Sequence, residues 1–288
     1  MTLQAPMRCS VLAEELNEPM IGSVEMRTRW LLVEDRSAWG ADAVRDVFGP
    51  ALAARAKELQ LGLLLVRRRE GDPTDDAVRR AILVDTTTRE MAIRSVTSPA
   101  ELSVETAASS PVAGFGAPMS DPIFLVCTNG KRDACCSLRG RALVGALAAE
   151  HAERVWECTH LGGHRFAGNL VCLPDGIVYG RVTPADGPRL ATAYVEGRVD
   201  PSHLRGRSAW PAPAQVAEAA LRERLGLDGV HDVRLEEAQV GDDVASVTLA
   251  TPDGRSHRLE LRATRSEPRP MSCRGDKVEA PLHWELRT

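Results

Sequence analysis

Apolar residues fall in short blocks separated by polar turns, and the blocks follow one order twice. Residues 30–34 (Trp-Leu-Leu-Val-Glu) read as a buried strand. Residues 42–59 read as a helix with Val44, Val47, Phe48, Leu52 and Leu59 on one face, kinked or split at Gly49-Pro50. A second strand covers 61–67, and 80–86 with 90–96 form a hairpin across Thr87-Thr88-Arg89. Ser98 followed by Glu101 is a helix-start signature. After the small, Pro- and Gly-rich stretch 107–120, the order returns. Strand 122–127 precedes helix 140–152, which carries Leu143, Val144 and Leu147. Strand 154–159, a hairpin of 169–173 with 177–182 across Pro174-Asp175-Gly176, and a closing helix 186–196 follow.

Each half reads strand–helix–strand–strand–strand–helix. That order predicts an α/β fold of two tandem thioredoxin-like units (βαβ then ββα), with the first two strands of each parallel because a helical crossover joins them. Beyond residue 205 the pattern predicts a small α+β segment: an alanine-rich helix over 213–225, a hairpin of 244–250 with 256–263, and a tail from 266 with little periodicity. The expected organisation is a first unit over 1–106, a linker over 107–120, a second unit over 121–204 and a C-terminal segment over 205–288.

Composition is that of an ordinary globular chain: 43% apolar, 26% charged and 4% aromatic, so the cores are aliphatic. A net charge of −4 argues against general nucleic-acid binding. The longest apolar run, 61–66, is far short of the ~18 residues a spanning helix needs, and residues 1–22 lack an apolar signal core. The expectation is a cytoplasmic chain with neither a membrane nor a nucleic acid as partner. A reducing cytoplasm disfavours disulfides, so the seven cysteines need another explanation.

Their placement supplies one. Cys127, Cys135, Cys136, Cys158 and Cys172 fall within 46 residues, together with His160 and His164 of a His-Leu-Gly-Gly-His run. Cys127 ends one strand and His160 follows the next. Parallel neighbours bring those ends to one sheet edge, where α/β proteins hold ligands. The loop 128–133 lets Cys136 double back, and Gly162-Gly163 leaves room for an inorganic centre. Two thiolates and two imidazoles suit tetrahedral zinc or a [2Fe–2S] cluster. The Cys-x8-Cys spacing is unlike a zinc knuckle. Placing both cysteines in one loop and both histidines in another is unlike a Rieske centre.

The run 124–136 (FLVCTNGKRDACC), Gly140-Arg141-Ala142-Leu143, the run 156–167 (WECTHLGGHRFA), Leu173-Pro174-Asp175-Gly176 and Tyr179-Gly180-Arg181 resemble the sucrase/ferredoxin-like family of thioredoxin-like [2Fe–2S] proteins. Residues 30–34 with Trp39-Gly40, and Ser272-Cys273 with Trp284, resemble its bacterial members. The resemblance implies a [2Fe–2S] cluster on Cys127, Cys136, His160 and His164. Cys135 is an alternative to Cys136, or its partner in a vicinal disulfide. It also implies an electron-transfer protein, a carrier rather than a catalyst, working with redox donor and acceptor proteins. Neutral imidazole ligands would raise its potential above that of an all-Cys ferredoxin. Sucrose hydrolysis is not expected, since no glycosidase carboxylate pair stands out. A thioredoxin-like thiol–disulfide oxidoreductase and a structural Cys2His2 zinc module are the alternatives. Lys131, Arg132, Arg139, Arg141 and Arg165 surround the motif and read as charge compensation or docking for an acidic partner, or else as a solvated face. Cys158 and Cys172 read as small buried thiols. Cys9 and Cys273 read as non-ligands, with Cys273 able to approach the site. The first unit carries no ligands and reads as a structural or docking half.

Overall fold

The computed structural model describes residues 8–68, 78–273 and 277–287. The few remaining positions of the expected first unit and of the tail lie outside the described residues. The first half consists of α1 (Cys9–Glu15), β1 (Arg29–Glu34), α2 (Ala43–Phe48), α3 (Pro50–Glu58), β2 (Leu61–Arg67), β3 (Arg79–Asp85), β4 (Glu90–Val96) and α4 (Val104–Ser109). The second consists of β5 (Ala117–Met119), β6 (Ile123–Cys127), α5 (Ala134–His151), β7 (Val155–Cys158), β8 (Leu170–Leu173), β9 (Ile177–Tyr179), α6 (Gly187–Val195) and β10 (Leu204–Arg207). The C-terminal segment holds α7 (Ala212–Leu225), β11 (Arg234–Val240), β12 (Val244–Ala250), β13 (Ser256–Arg265), the two-residue β14 (Arg269–Pro270) and β15 (Val278–Glu279), and β16 (Leu282–Leu286).

Among the described residues, ten strands form one mixed sheet in the order β10-β9-β8-β6-β7-β2-β1-β3-β4-β5. Each half has one parallel pair and a strand antiparallel to the first of that pair: β1 with β2 and β3, β6 with β7 and β8. The halves meet where β2 pairs antiparallel with β7, Val66 opposite Cys158. One continuous α/β sheet therefore carries both. Alternation along β1 divides its residues between two cores. Leu31 and Val33 pack with the helices of the first half. Trp30 and Leu32 join a central cluster shared with Leu125, Cys127 and Trp156 of the second half. The C-terminal segment folds α7 over a second sheet ordered β11-β12-β13-β16.

Some sequence expectations differ from what is observed. Residues 107–120 are more than a linker: they finish α4, form a 3-10 turn at Val112–Gly114, and supply β5 as the outermost strand beside β4. The helix expected over 140–152 begins six residues earlier, at Ala134, because the Asp133 side chain accepts the Cys135 backbone N–H at 3.0 Å and caps it. The tail is structured by β16, which pairs with β13, and β11 was not foreseen on the edge of the same sheet. The capping box of Ser98 and Glu101 forms, but on a single 3-10 turn. The α-helix after it starts at Val104 under a separate Ser103 cap.

Candidate metal centre

Parallel pairing sets Cys127 opposite Cys158 at the carboxyl ends of β6 and β7, so the chain leaves β7 for His160 beside Cys127. Helix α5 returns to the same edge. Its Gly140 lies against the Cys127 carbonyl, which a Cβ there would strike, so only glycine lets the helix approach this closely. Cys136 sits in the first helical turn, not in a loop before the helix. The sulfurs of Cys127 and Cys136 and a ring nitrogen of His160 all lie within 4.8 Å of one another. Both cysteines are buried at 1% exposure.

His164 stands beside this trio, its ring centroid 5.2 Å from that of His160. Gly162 (φ 83°) and Gly163 (φ 64°) turn the loop through left-handed backbone to bring it there. The His164 Nε2 lies 2.6 Å from the Met271 carbonyl oxygen. A carbonyl only accepts, so Nε2 carries the hydrogen and Nδ1 of the neutral ring is a bare lone pair. That Nδ1 is buried and has no protein partner, and so is the Nδ1 of His160. Buried polar atoms are normally satisfied. Two orphaned imidazole nitrogens beside two thiols are donors of the kind that could hold a thiophilic metal group.

Electrostatics favour the ligand forms. The hydrogen bond from Cys136 holds the Cys127 thiol well below the ordinary range. Burial opposes this, while His160 and the Leu161 N–H add to the lowering. Cys136 moves upward for the reciprocal reason, its bond to Cys127 first and burial next. Burial pushes His164 down against the pull of Asp133, which keeps the imidazole neutral.

Cys135 turns away from this group. Its sulfur meets Cys273 at 3.2 Å and Cys9 at 3.7 Å, and Ser10 Oγ lies 3.2 Å from it. Its thiol is lowered to about 5, first by the bond from Cys9 and then, against burial, by Ser10. All seven cysteines are free thiols, so no vicinal disulfide joins Cys135 to Cys136. Cys158 and Cys172 are fully buried thiols raised by desolvation, as small core residues are. The sequence reading missed Cys9, Asp133 and the Met271 carbonyl. Asp133 carried a signal as a cap just ahead of Cys135. Cys9 and Met271 carried none, being more than 100 residues from what they touch.

The cationic set divides. Arg165 is buried and paired with Glu18, with its Nη1 donating to the Pro270 carbonyl, so it is a structural tie and not a docking group. Arg139 pairs with Glu14 and donates to the Ala167 carbonyl at 3.1 Å. Arg132 pairs with Asp42 at 2.7 Å. Arg141 and Lys131 are exposed. The two histidines line adjoining clefts that share Glu25 and Arg132: His164 with Ser23 and Met271, and His160 with Asp42 and Lys57.

Three fungal proteins named "Altered inheritance of mitochondria protein 32" are similar to this chain. The one from Eremothecium gossypii is 34% identical over 106 residues, which is 32% of this chain and 34% of the relative. The one from Meyerozyma guilliermondii is 33% identical over 98 residues, 31% of this chain and 32% of the relative. The one from Candida glabrata is 26% identical over 102 residues, 30% and 33%. The matched part thus spans about a third of each relative's length. No solved structure matches. These relatives correct two expectations. Their name concerns the inheritance of mitochondria and describes neither an electron carrier, a thiol–disulfide oxidoreductase nor a zinc module, so the expected electron-transfer function does not stand. Nor does the bacterial-type assignment, since the relatives are fungal. Among the described residues no helix is long and apolar enough to cross a membrane. The profile of the sucrase/ferredoxin-like family matches residues 20–206, which include both cysteines and both histidines of the centre, and the chain belongs to that family.

Proposed function

We propose that this chain is a metal-centre-binding protein in which Cys127, Cys136, His160 and His164 hold a [2Fe–2S] cluster. The observation that carries the reading is the pair of buried, unpartnered Nδ1 atoms on His160 and His164, the second fixed as a lone pair by the Met271 carbonyl. The packing of Cys127, Cys136 and His160 supports it. When bound, such a cluster supplies a centre with two charge states, and two neutral imidazoles make it less negative than an all-thiolate one. The protein's own part is to desolvate the thiols, hold the His164 ring neutral and orient it through its second nitrogen. The reading is one of binding. It leaves the carriage of electrons out, in keeping with relatives whose name concerns the inheritance of mitochondria. We also read each half of the sheet, with its parallel pair and antiparallel hairpin, as one thioredoxin-like unit.

The test is an absorption spectrum with iron and acid-labile sulfide analysis of anaerobically purified protein. Visible charge-transfer bands with about two irons and two sulfides per chain are expected. A colourless chain without iron or sulfide under those conditions contradicts the reading.

A further inference from the structure

Outside that centre the described residues bring together a second set of metal-ligating groups. Cys9 comes from α1, Cys135 from the first turn of α5, and Cys273 from the tail. Their sulfurs form a triangle with sides of 3.2, 3.4 and 3.7 Å. Both carboxylate oxygens of Asp133 lie 3.6 Å from Cys9 Sγ. All four donor atoms are within 4.8 Å of one another, and Cys9, Asp133 and Cys135 are no more than 3% exposed.

We propose that Cys9, Cys135, Cys273 and Asp133 form a second metal site, for a thiophilic divalent cation such as zinc. Sulfurs bound to one tetrahedral zinc at about 2.3 Å stand roughly 3.8 Å apart, while bonded sulfurs stand at about 2.05 Å. The triangle lies close to the first spacing and more than an ångström beyond the second. Four oxygen and sulfur donors satisfy a tetrahedral, closed site without water. On binding, the thiols that still carry protons give them up to solvent, and the cation offsets the three thiolates and the carboxylate. Buried together without it, those four anions would lack a compensating charge.

The site would do something no single segment of the chain does. The chain just before Cys273 supplies the Met271 carbonyl that orients His164 and the Pro270 carbonyl that receives Arg165. The chain just after Cys9 supplies Glu14 and Glu18, which hold Arg139 and Arg165. A cation bound to Cys9, Cys135 and Cys273 therefore staples both ends of the chain over the histidine loop. Asp133 reaches both centres: its Oδ2 accepts the Cys273 N–H at 3.0 Å and lies 3.9 Å from His164 Nε2.

The experiment is zinc titration of the reduced full-length protein against a chromophoric chelator, together with zinc and iron analysis of the purified chain. It is run on the wild type and on Cys9→Ser, Cys135→Ser, Cys273→Ser and Cys127→Ser. The last weakens the other centre, and each of the other three substitutions is also read in the Cys127→Ser background, so that a loss of zinc there reports the second site. The expectation is one tightly held zinc in Cys127→Ser and about tenfold or weaker binding in Cys135→Ser and Cys273→Ser. Cys273 is partly exposed on the tail, so its serine variant is expected to fold, checked by circular dichroism. Iron content in Cys273→Ser reads the first centre independently. Zinc uptake unchanged in Cys273→Ser overturns the proposal. So does the absence of zinc uptake by Cys127→Ser, or a non-reducing mass two hydrogens lighter that persists after purification with zinc and marks a disulfide in place of a metal site.

Discussion

At the scale of the residue, adjacent cysteines face different centres. Cys136 lies with Cys127 and His160, while Cys135 lies with Cys9 and Cys273. Cys136→Ser is therefore expected to reduce iron bound per chain by about tenfold or more, while Cys135→Ser keeps most of it. Equal losses in the two variants would count against this division. Glu14 offers a pH test. The hydrogen bond from Arg139 lowers its carboxyl below the ordinary 4.5. A folded value depressed below the unfolded one stabilises the fold above pH 4.5, and that contribution disappears as pH falls through the folded value. Both side chains are about a third exposed, so the contribution is no more than about 1 kcal/mol. The stability gap between wild type and Glu14→Gln should accordingly narrow as the pH is lowered below 4.5, read as denaturation midpoints. A gap that widens with acid would refute the assignment. The residues of the first centre were legible in the sequence because Cys-x8-Cys and His-Leu-Gly-Gly-His are local patterns. Cys9 and Cys273 were not, since no spacing reports a contact closed by the fold across 264 positions.

At the scale of the element, α5 sets the geometry. Its start at Ala134 was hidden because alanines and cysteines carry little amphipathic period, and only Asp133 marks the turn. The central strands β1, β2, β3, β4, β6, β7 and β8, in contrast, were placed within a residue or two, because blocks such as 61–67 are apolar and bounded by turns, whereas β5, β10, β11 and β16 were not foreseen. Asp133→Ala removes the cap and the acceptor of the Cys273 N–H. It should cost about 1–2 kcal/mol in chemical denaturation, and an unchanged midpoint would show that the cap carries no weight. Gly140→Ala would drive a methyl group into the Cys127 carbonyl. The expected loss is about 1–3 kcal/mol, together with weaker iron retention, as the helix moves off β6. Iron retention equal to wild type would place the required closeness elsewhere.

At the scale of the whole molecule, one sheet joins two similar halves, and the N-terminal segment and the tail contact the loop that carries His164. The repeat was visible from the order of elements. Its continuity was not, since the β2–β7 pairing leaves no mark in the pattern. Arg165 is the tie among these parts: it follows His164, is buried against Glu18 from the N-terminal segment, and reaches Pro270 of the tail. Glu18→Gln leaves that guanidinium without its buried charge partner and should cost about 3–5 kcal/mol.

The most direct test of the central claim is nitrogen hyperfine spectroscopy on the chemically reduced, cluster-loaded protein grown with ¹⁵N-histidine. Two strongly coupled histidine nitrogens are expected, one of which disappears in His164→Cys. A spectrum with no histidine nitrogen coupled to the iron would contradict that claim.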